Sequence, residues 1–203
     1  MKEGLSKYLP SGAIDLVYPF LKKNNVHVTI TANRVTKQGD YRPPINYPAH
    51  RITINGTLNP YAFLITLVHE MAHLKVWEKT KSLKDPHGVL WKNTFIEMMI
   101  PFLENKIFPD DIQVVLIRHL TNPKAASNSD KMMTEALRRY DKNQKPTLND
   151  IPEGTSFTLN GRIFRKGQKL RTYYLCECLT NRRKYRVSGI AEIVVSTTEM
   201  QKT

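Results

Sequence analysis

Two short segments in the first half of the chain alternate apolar and polar residues. Residues 26–31 (VHVTIT) and 50–55 (HRITIN) are rich in β-branched side chains, and their period of two predicts a strand in each. The segment 36–44 (TKQGDYRPP) between them contains a glycine and two prolines, which predicts a turn or loop. We therefore expect a small sheet in this part of the chain.

Helical spacing of apolar residues predicts helices on both sides of these strands. Residues 11–24 form the first, and an amphipathic pattern in 127–142 predicts another. The longest candidate begins after Asn59, a typical cap, with Pro60 in its first turn. It is apolar on nearly every face, so we expect it to be buried. The apolar run 109–120 does not fix its own type.

The amino-acid pattern changes near the end of the chain, from helical spacing to a linker and short strand-like runs. Residues 143–154 have the composition of a linker, and short runs separated by Asn-Gly or Gly follow from Thr155 onward. Together the patterns predict an α+β fold in three parts: a larger domain over 1–120, a helix and linker over 121–152, and a small antiparallel β module over 153–203.

Composition narrows the class of protein. The 203 residues contain no apolar run long enough to span a bilayer, and the N-terminal segment lacks a signal-peptide pattern, so we expect a cytoplasmic protein with no membrane contact. The only cysteines, Cys176 and Cys178, are one residue apart, a spacing that seldom forms a structural disulfide.

The net charge of +13 favours a polyanionic partner, most often nucleic acid. Residues 1–120 carry 15 Lys and Arg against 10 Asp and Glu, whereas residues 121–203 carry 16 against 8. The second part is shorter and more basic, so a contact with DNA is expected there. The alternative is a basic surface that is simply solvated.

The run HEMAH, from His69 to His73, is the clearest candidate for a catalytic site. Positions four apart on a helix project from one face, where two imidazoles can bind one metal ion, and Glu70 can reach a water beside it. A catalytic zinc site uses three protein ligands and leaves one position open. The motif predicts metal-assisted hydrolysis with Glu70 as general base, although five residues of this kind also match by chance.

His87 is the strongest candidate for the third ligand. It follows a polar loop and stands in the first turn of a helix that we expect to begin with Asp85 as cap and Pro86 at the first position. Helical spacing from His87 to Trp91 and Phe95 turns its imidazole towards the core, where a metal would satisfy it.

The other histidines are not assigned to the metal. His27 and His50 are expected to be ordinary strand residues, and His119 a surface residue. Zinc is the default ion for three imidazoles and water, and manganese, iron and cobalt use the same ligands. A donor to the developing oxyanion is also expected, and the sequence leaves three candidates open: Tyr41, Tyr47 and Arg42.

In order along the chain, HRITIN, LVHEMAHL and HGVLWKNTF resemble the SprT-like (Spartan-like) zinc metallopeptidases. The likeness covers about residues 10–105. It implies a zincin-like domain in which the HExxH helix packs on a small sheet, one Zn2+ per chain, and protein substrates that are associated with DNA. The residues that match the family's motifs are His69, Glu70, His73, His87, Gly88 and Trp91.

Residues 171–187 (RTYYLCECLTNRRKYRV) resemble the hairpin of the zinc ribbon that ends many members of this family, but only two cysteines remain. We expect a degenerate, metal-free ribbon that serves either as a structural cap or as a nucleic-acid-binding module. Its candidate contacts are the basic residues Arg162, Arg165, Lys166, Lys169, Arg171, Arg182, Arg183, Lys184 and Arg186, with Tyr173, Tyr174 and Tyr185 available to stack on bases.

Three hypotheses follow for the function. The first is a zinc-dependent metallopeptidase that hydrolyses peptide bonds in DNA-associated proteins. The second is a basic nucleic-acid-binding protein in which the zinc is structural, and the third is an enzyme that stays silent until a partner or ligand binds. An intact Glu70 favours catalysis, because a structural metal needs no general base. The sequence assigns no oligomeric state.

Overall fold

Helices and a mixed sheet combine in an α+β arrangement, which confirms the predicted fold class. The chain divides into two compact units, Met1–Lys142 and Asn143–Thr203. None of the helices in the described part has the length and apolar content needed to cross a bilayer. The computed structural model describes residues 2–32, 37–82, 84–124 and 130–195.

The first unit contains most of the helices and a small sheet. Its elements are α1 (Lys2–Ser6), α2 (Ala13–Lys23), β1 (Val26–Thr31), β2 (Gly39–Arg42), β3 (His50–Asn55), α3 (Pro60–Thr80), α4 (Val89–Glu104), α5 (Asp110–Leu120) and α6 (Lys131–Arg138). The apolar run before residue 120 is thus a helix, and the helix expected after residue 126 belongs to this unit.

The three strands of the first unit lie in the order β1-β3-β2, with β1 parallel and β2 antiparallel to β3. The bounds of β1 and β3 confirm the two predicted strands. The loop prediction for 36–44 is wrong at Gly39–Arg42, which pairs with β3. Glycine and aspartate have low strand propensity, so this edge strand depends on its pairing rather than on its composition.

The long helix α3 lies against the sheet and against α4. The Asn59 side chain accepts the backbone N–H groups of Tyr61 and Ala62, which confirms the predicted cap. The helix is buried as expected, and its core contacts include Phe63 and Leu67, both with no exposed surface. This packing places the HEMAH run next to the core of the first unit.

The second unit is a small antiparallel sheet with its own core. A short 3-10 helix (Leu148–Asp150) precedes the strands, and the strand order is β7-β6-β5-β4-β8. Cys176 and Cys178 are buried free thiols on the core-facing side of β6. The strands are β4 (Ser156–Leu159), β5 (Arg162–Arg165), β6 (Tyr173–Cys178), β7 (Lys184–Ser188) and β8 (Val194–Val195).

Candidate metal centre

His69 and His73 lie one turn apart on α3, and their Nε2 atoms are 3.1 Å apart. Both side chains are partly exposed, although most of the surrounding helix is buried. The spacing of four positions therefore places two imidazole nitrogens on one face of α3, as the sequence predicts.

His87 brings a third imidazole to the same point, because its Nε2 atom lies 3.3 Å from Nε2 of His69. It stands in a turn before α4 rather than inside the helix, so the predicted start at Asp85 and Pro86 is wrong. Asp85 has a φ of 51°, in the left-handed region, and its carbonyl accepts the N–H of Gly88 at 3.1 Å. The helix begins only after this turn, at Val89.

The three imidazoles fit one metal ion. One ring nitrogen from each of His69, His73 and His87 lies within 4.8 Å of the others, and no other group of three or more potential ligands occurs in the described ranges. Nitrogens about 2.0–2.1 Å from a tetrahedral zinc are separated by about 3.3 Å. The two measured nitrogen distances, 3.1 Å and 3.3 Å, agree with that spacing.

Burial keeps these imidazoles neutral. Burial, together with the neighbouring His73 and His87, lowers the pKa of His69 to about 2. Burial also lowers the pKa of His73 to about 4, and it lowers the pKa of His87 although Asp85 opposes the shift. Near neutral pH each ring therefore has an unprotonated nitrogen, which is the form that binds a metal.

Trp91 forms the inner wall of the cluster. Its ring centroid lies 4.5, 5.4 and 4.8 Å from those of His69, His73 and His87, and the residue is 1% exposed. It stacks on Phe95 at 5.1 Å with an interplanar angle of 8°. The predicted inward face of this helix is confirmed at these two residues, and the wall restricts the rotation of all three imidazoles.

Glu70 is 6% exposed and lies against the backbone of β2. A Cβ atom at Gly39 would be 2.5 Å from Oε1 of Glu70 and 2.7 Å from Cγ2 of Thr66, closer than side chains tolerate. Only glycine permits this approach of strand and carboxylate. Sequence reasoning missed Gly39 because it placed the residue in a loop.

The three candidate oxyanion donors do not share one surface. Tyr41 is on the same face of β2 as Gly39, and its hydroxyl is 2.9 Å from Nδ1 of His50. Arg42 follows on the opposite face, where its Nε is 2.9 Å from a carboxylate oxygen of Asp40. The hydroxyl of Tyr47, the third candidate, is 2.9 Å from Nδ1 of His27, which is exposed.

Two expectations about the remaining histidines need correction. His119 is 4% exposed rather than on the surface, and its Nδ1 lies 3.0 Å from Oδ2 of Asp130. Asp130 also accepts the backbone N–H of Met133 at the start of α6, and this helix packs on α5. His50 is on a strand as expected, but it is 6% exposed and takes part in a hydrogen-bonded chain described below.

Of the nine basic residues predicted to contact nucleic acid, all but one are exposed. Lys166 is 4% exposed, and its Nζ donates to the carbonyl of Ile151 at 2.6 Å and lies 3.9 Å above the ring of Tyr174. Lys166 and Tyr174 are therefore part of the core, whereas Tyr173 remains 47% exposed. The exposed members are Arg162, Arg165, Lys169, Arg171, Arg182, Arg183, Lys184 and Arg186.

No protein-family model, no curated protein and no solved structure matches the chain. The chemistry of the centre therefore has to be argued from its own residues.

Proposed function

We propose that the chain is a zinc-dependent metallopeptidase in which His69, His73 and His87 bind the ion. One observation carries the proposal: three neutral imidazoles converge at metal-ligand spacing, and a carboxylate follows the first of them on the same helix. The resemblance to SprT-like peptidases, with a zincin-like helix on a small sheet, agrees with this reading. Three histidines leave one position of a tetrahedral ion open to substrate or water.

Each residue has a defined task in the proposed reaction. When bound, zinc supplies a Lewis acid that polarises the scissile carbonyl and makes water more acidic. Glu70 takes a proton from the attacking water on a carboxylate oxygen and delivers it to the leaving amine nitrogen. Trp91 keeps the imidazoles oriented, and Gly39 leaves room for the carboxylate to lie beside the sheet.

Proteins associated with DNA are the proposed substrates. The second unit carries eight exposed Lys and Arg side chains of the nine candidates, together with the exposed ring of Tyr173. Cations that contact phosphates and an aromatic ring that stacks on a base are the usual means of binding single strands. We propose that this degenerate ribbon recruits the peptidase to nucleic acid.

The test is proteolysis by zinc-loaded protein, with a mixture of basic DNA-binding proteins as substrate, with and without single-stranded DNA. Wild type should cleave, and Glu70→Gln should bind the same amount of zinc but cleave at least about a hundredfold more slowly. Glu97→Gln, at an exposed position of α4, is the matched control and should cleave like wild type. Equal cleavage by Glu70→Gln and wild type would exclude the proposed base.

The exposed cations favour a second candidate, a nucleic-acid-binding protein with structural zinc. It predicts salt-sensitive binding that is unchanged in Glu70→Gln, together with no proteolysis by wild type under any condition. In either case, Lys184→Gln with Arg186→Gln should flatten the dependence of log affinity on log salt by about 1.4 for single strands, if both side chains contact phosphates. An unchanged slope would remove these two residues from the interface.

A further inference from the structure

A buried histidine on β3, His50, contacts both the edge strand β2 and the helix α3 that carries Glu70. His50 is 6% exposed; its Nδ1 lies 2.9 Å from the hydroxyl of Tyr41 on β2, and its Nε2 lies 3.0 Å from Oε1 of Glu78 on α3. The other oxygen of Glu78 accepts Nζ of Lys81 at 2.7 Å. The result is a continuous chain of polar contacts from the edge strand to the last turn of the metal-binding helix.

The direction of each hydrogen bond in this chain is fixed. A carboxylate only accepts, so Nε2 of His50 carries the proton that is donated to Glu78. Burial lowers the pKa of His50, and the hydrogen bond from Lys81 lowers the pKa of Glu78, so the ring is neutral and the carboxylate ionised near neutral pH. Nδ1 of His50 then accepts, and the hydroxyl of Tyr41 must be its donor.

β2 lies close to α3 at two points. Gly39 and Tyr41 are two positions apart on one face of the strand, opposite Ile54 and Ile52 of β3. At Gly39 the strand runs so close to Glu70 that a Cβ atom there would lie 2.5 Å from the carboxylate oxygen Oε1. Tyr41 reaches the end of the helix through His50 and Glu78. β2 has only four residues, and among the described strands it pairs only with β3, so little else in this sheet restrains it.

We propose that Tyr41 and His50 are positioning residues. They fix the position of the edge strand β2 against α3 and thereby the position of the carboxylate of Glu70. The proposal rests on the proposed function, since it assigns Glu70 the role of base. The hydroxyl proton of Tyr41 is donated to His50, so this tyrosine acts through β2 rather than as an oxyanion donor. A small displacement of a reacting group slows the reaction strongly, so a strand that fixes the carboxylate of Glu70 increases kcat.

Three single variants separate the links of the chain. Tyr41→Phe removes the hydroxyl, and His50→Gln keeps a group near the Nε2 position for Glu78 but loses the acceptor for Tyr41. His50→Asn keeps a group near the Nδ1 position and so retains the acceptor. It loses the donor to Glu78, so each of the three variants breaks one link between β2 and α3. We expect kcat to fall about ten- to a hundredfold in all three, with KM and zinc affinity unchanged.

Two substitutions that remove the same hydrogen bond should have non-additive effects on kcat. Tyr41→Phe combined with His50→Gln should be no slower than either single variant, because both remove the same hydrogen bond. Tyr140→Phe is the matched control, since it removes a hydroxyl that donates to another side chain, Asp111, at 2.7 Å. It should have the kcat of wild type. Additive losses, or a Tyr41→Phe enzyme as fast as wild type, would overturn the proposal.

A readout without catalysis separates this proposal from the proposed function. The carboxyl carbon resonance of Glu70 in 13C NMR should shift in Tyr41→Phe and His50→Gln and stay in place in Tyr140→Phe. A wild type that hydrolyses no substrate would contradict the peptidase assignment but leave this shift intact. An unshifted Glu70 resonance in Tyr41→Phe and His50→Gln would contradict the positioning role, whatever the activity.

Discussion

The Nε2 atoms of His69 and His87 lie 3.3 Å apart, although 18 positions separate the residues in the chain. The packing of α4 on α3 brings them together, with Trp91 buried against both rings. A turn closed between Asp85 and Gly88 aims the second imidazole at the first. The centre is therefore a product of tertiary packing around a short local motif.

If the chain is the proposed peptidase, Gly39→Ala should impair catalysis while leaving the proposed metal ligands in place. The new Cβ would lie 2.5 Å from Oε1 of Glu70, so the carboxylate or the strand must move. We expect one zinc per chain and a loss in kcat of at least about tenfold. Gly4→Ala is the control, because its Cβ would meet nothing within 4 Å. A Gly39→Ala enzyme with wild-type kcat would show that the close approach is irrelevant to the base.

The local part of the site was predictable from the sequence. The spacing of His69 and His73, the cap at Asn59 and the continuous apolar character of the helix depend on neighbours within a few positions. Strands β1 and β3 were predictable for the same reason, since alternation of β-branched residues is a local signal. His87 was proposed from helical spacing even though it lies in a turn.

The metal-free protein should lose stability as the pH falls below about 6.5. In the folded state burial lowers the pKa of His69 to about 2 and that of His73 to about 4. The unfolded chain therefore binds protons that the folded chain does not, and the free energy of unfolding falls by up to about 1.4 kcal/mol per pH unit for each group. This loss begins near pH 6.5 and, for His73, ends near pH 4.

Denaturant unfolding of chelator-treated protein between pH 7 and 5 measures this dependence. In a variant with His69→Gln and His73→Gln, the free energy of unfolding should change less steeply with pH in that range. His27→Gln, at an exposed strand position, should show the same pH dependence as wild type. Identical slopes in all three proteins would show that the two imidazoles titrate normally.

Lys166 should stabilise the second unit rather than bind nucleic acid. Lys166→Met keeps the buried stem but removes the donor to the carbonyl of Ile151, so we expect a loss of about 2 kcal/mol in the free energy of unfolding. Lys169→Met is the control, since Lys169 is exposed and its Nζ lies 6.0 Å from the ring of Tyr174. Thermal and denaturant unfolding compare the two, and equal stabilities would contradict the assignment.

The sequence did not reveal features that depend on distant partners. β2 has a weak strand composition and exists through pairing with β3, so Gly39 was placed in a loop. Lysine is usually exposed and histidine often partly so, yet Lys166 and His119 are buried because each has a partner elsewhere in the fold. Burial of such side chains is decided by tertiary contacts that no local pattern records.

Zinc content is the most direct test of the central claim, that three histidines form one metal site. Native mass spectrometry on wild type, His87→Ala and His27→Ala, each incubated with zinc and desalted, counts the ions per folded chain. We predict one zinc in wild type and in His27→Ala, and nearly complete loss in His87→Ala. A wild type without zinc, or a His87→Ala variant that retains it fully, would contradict the account.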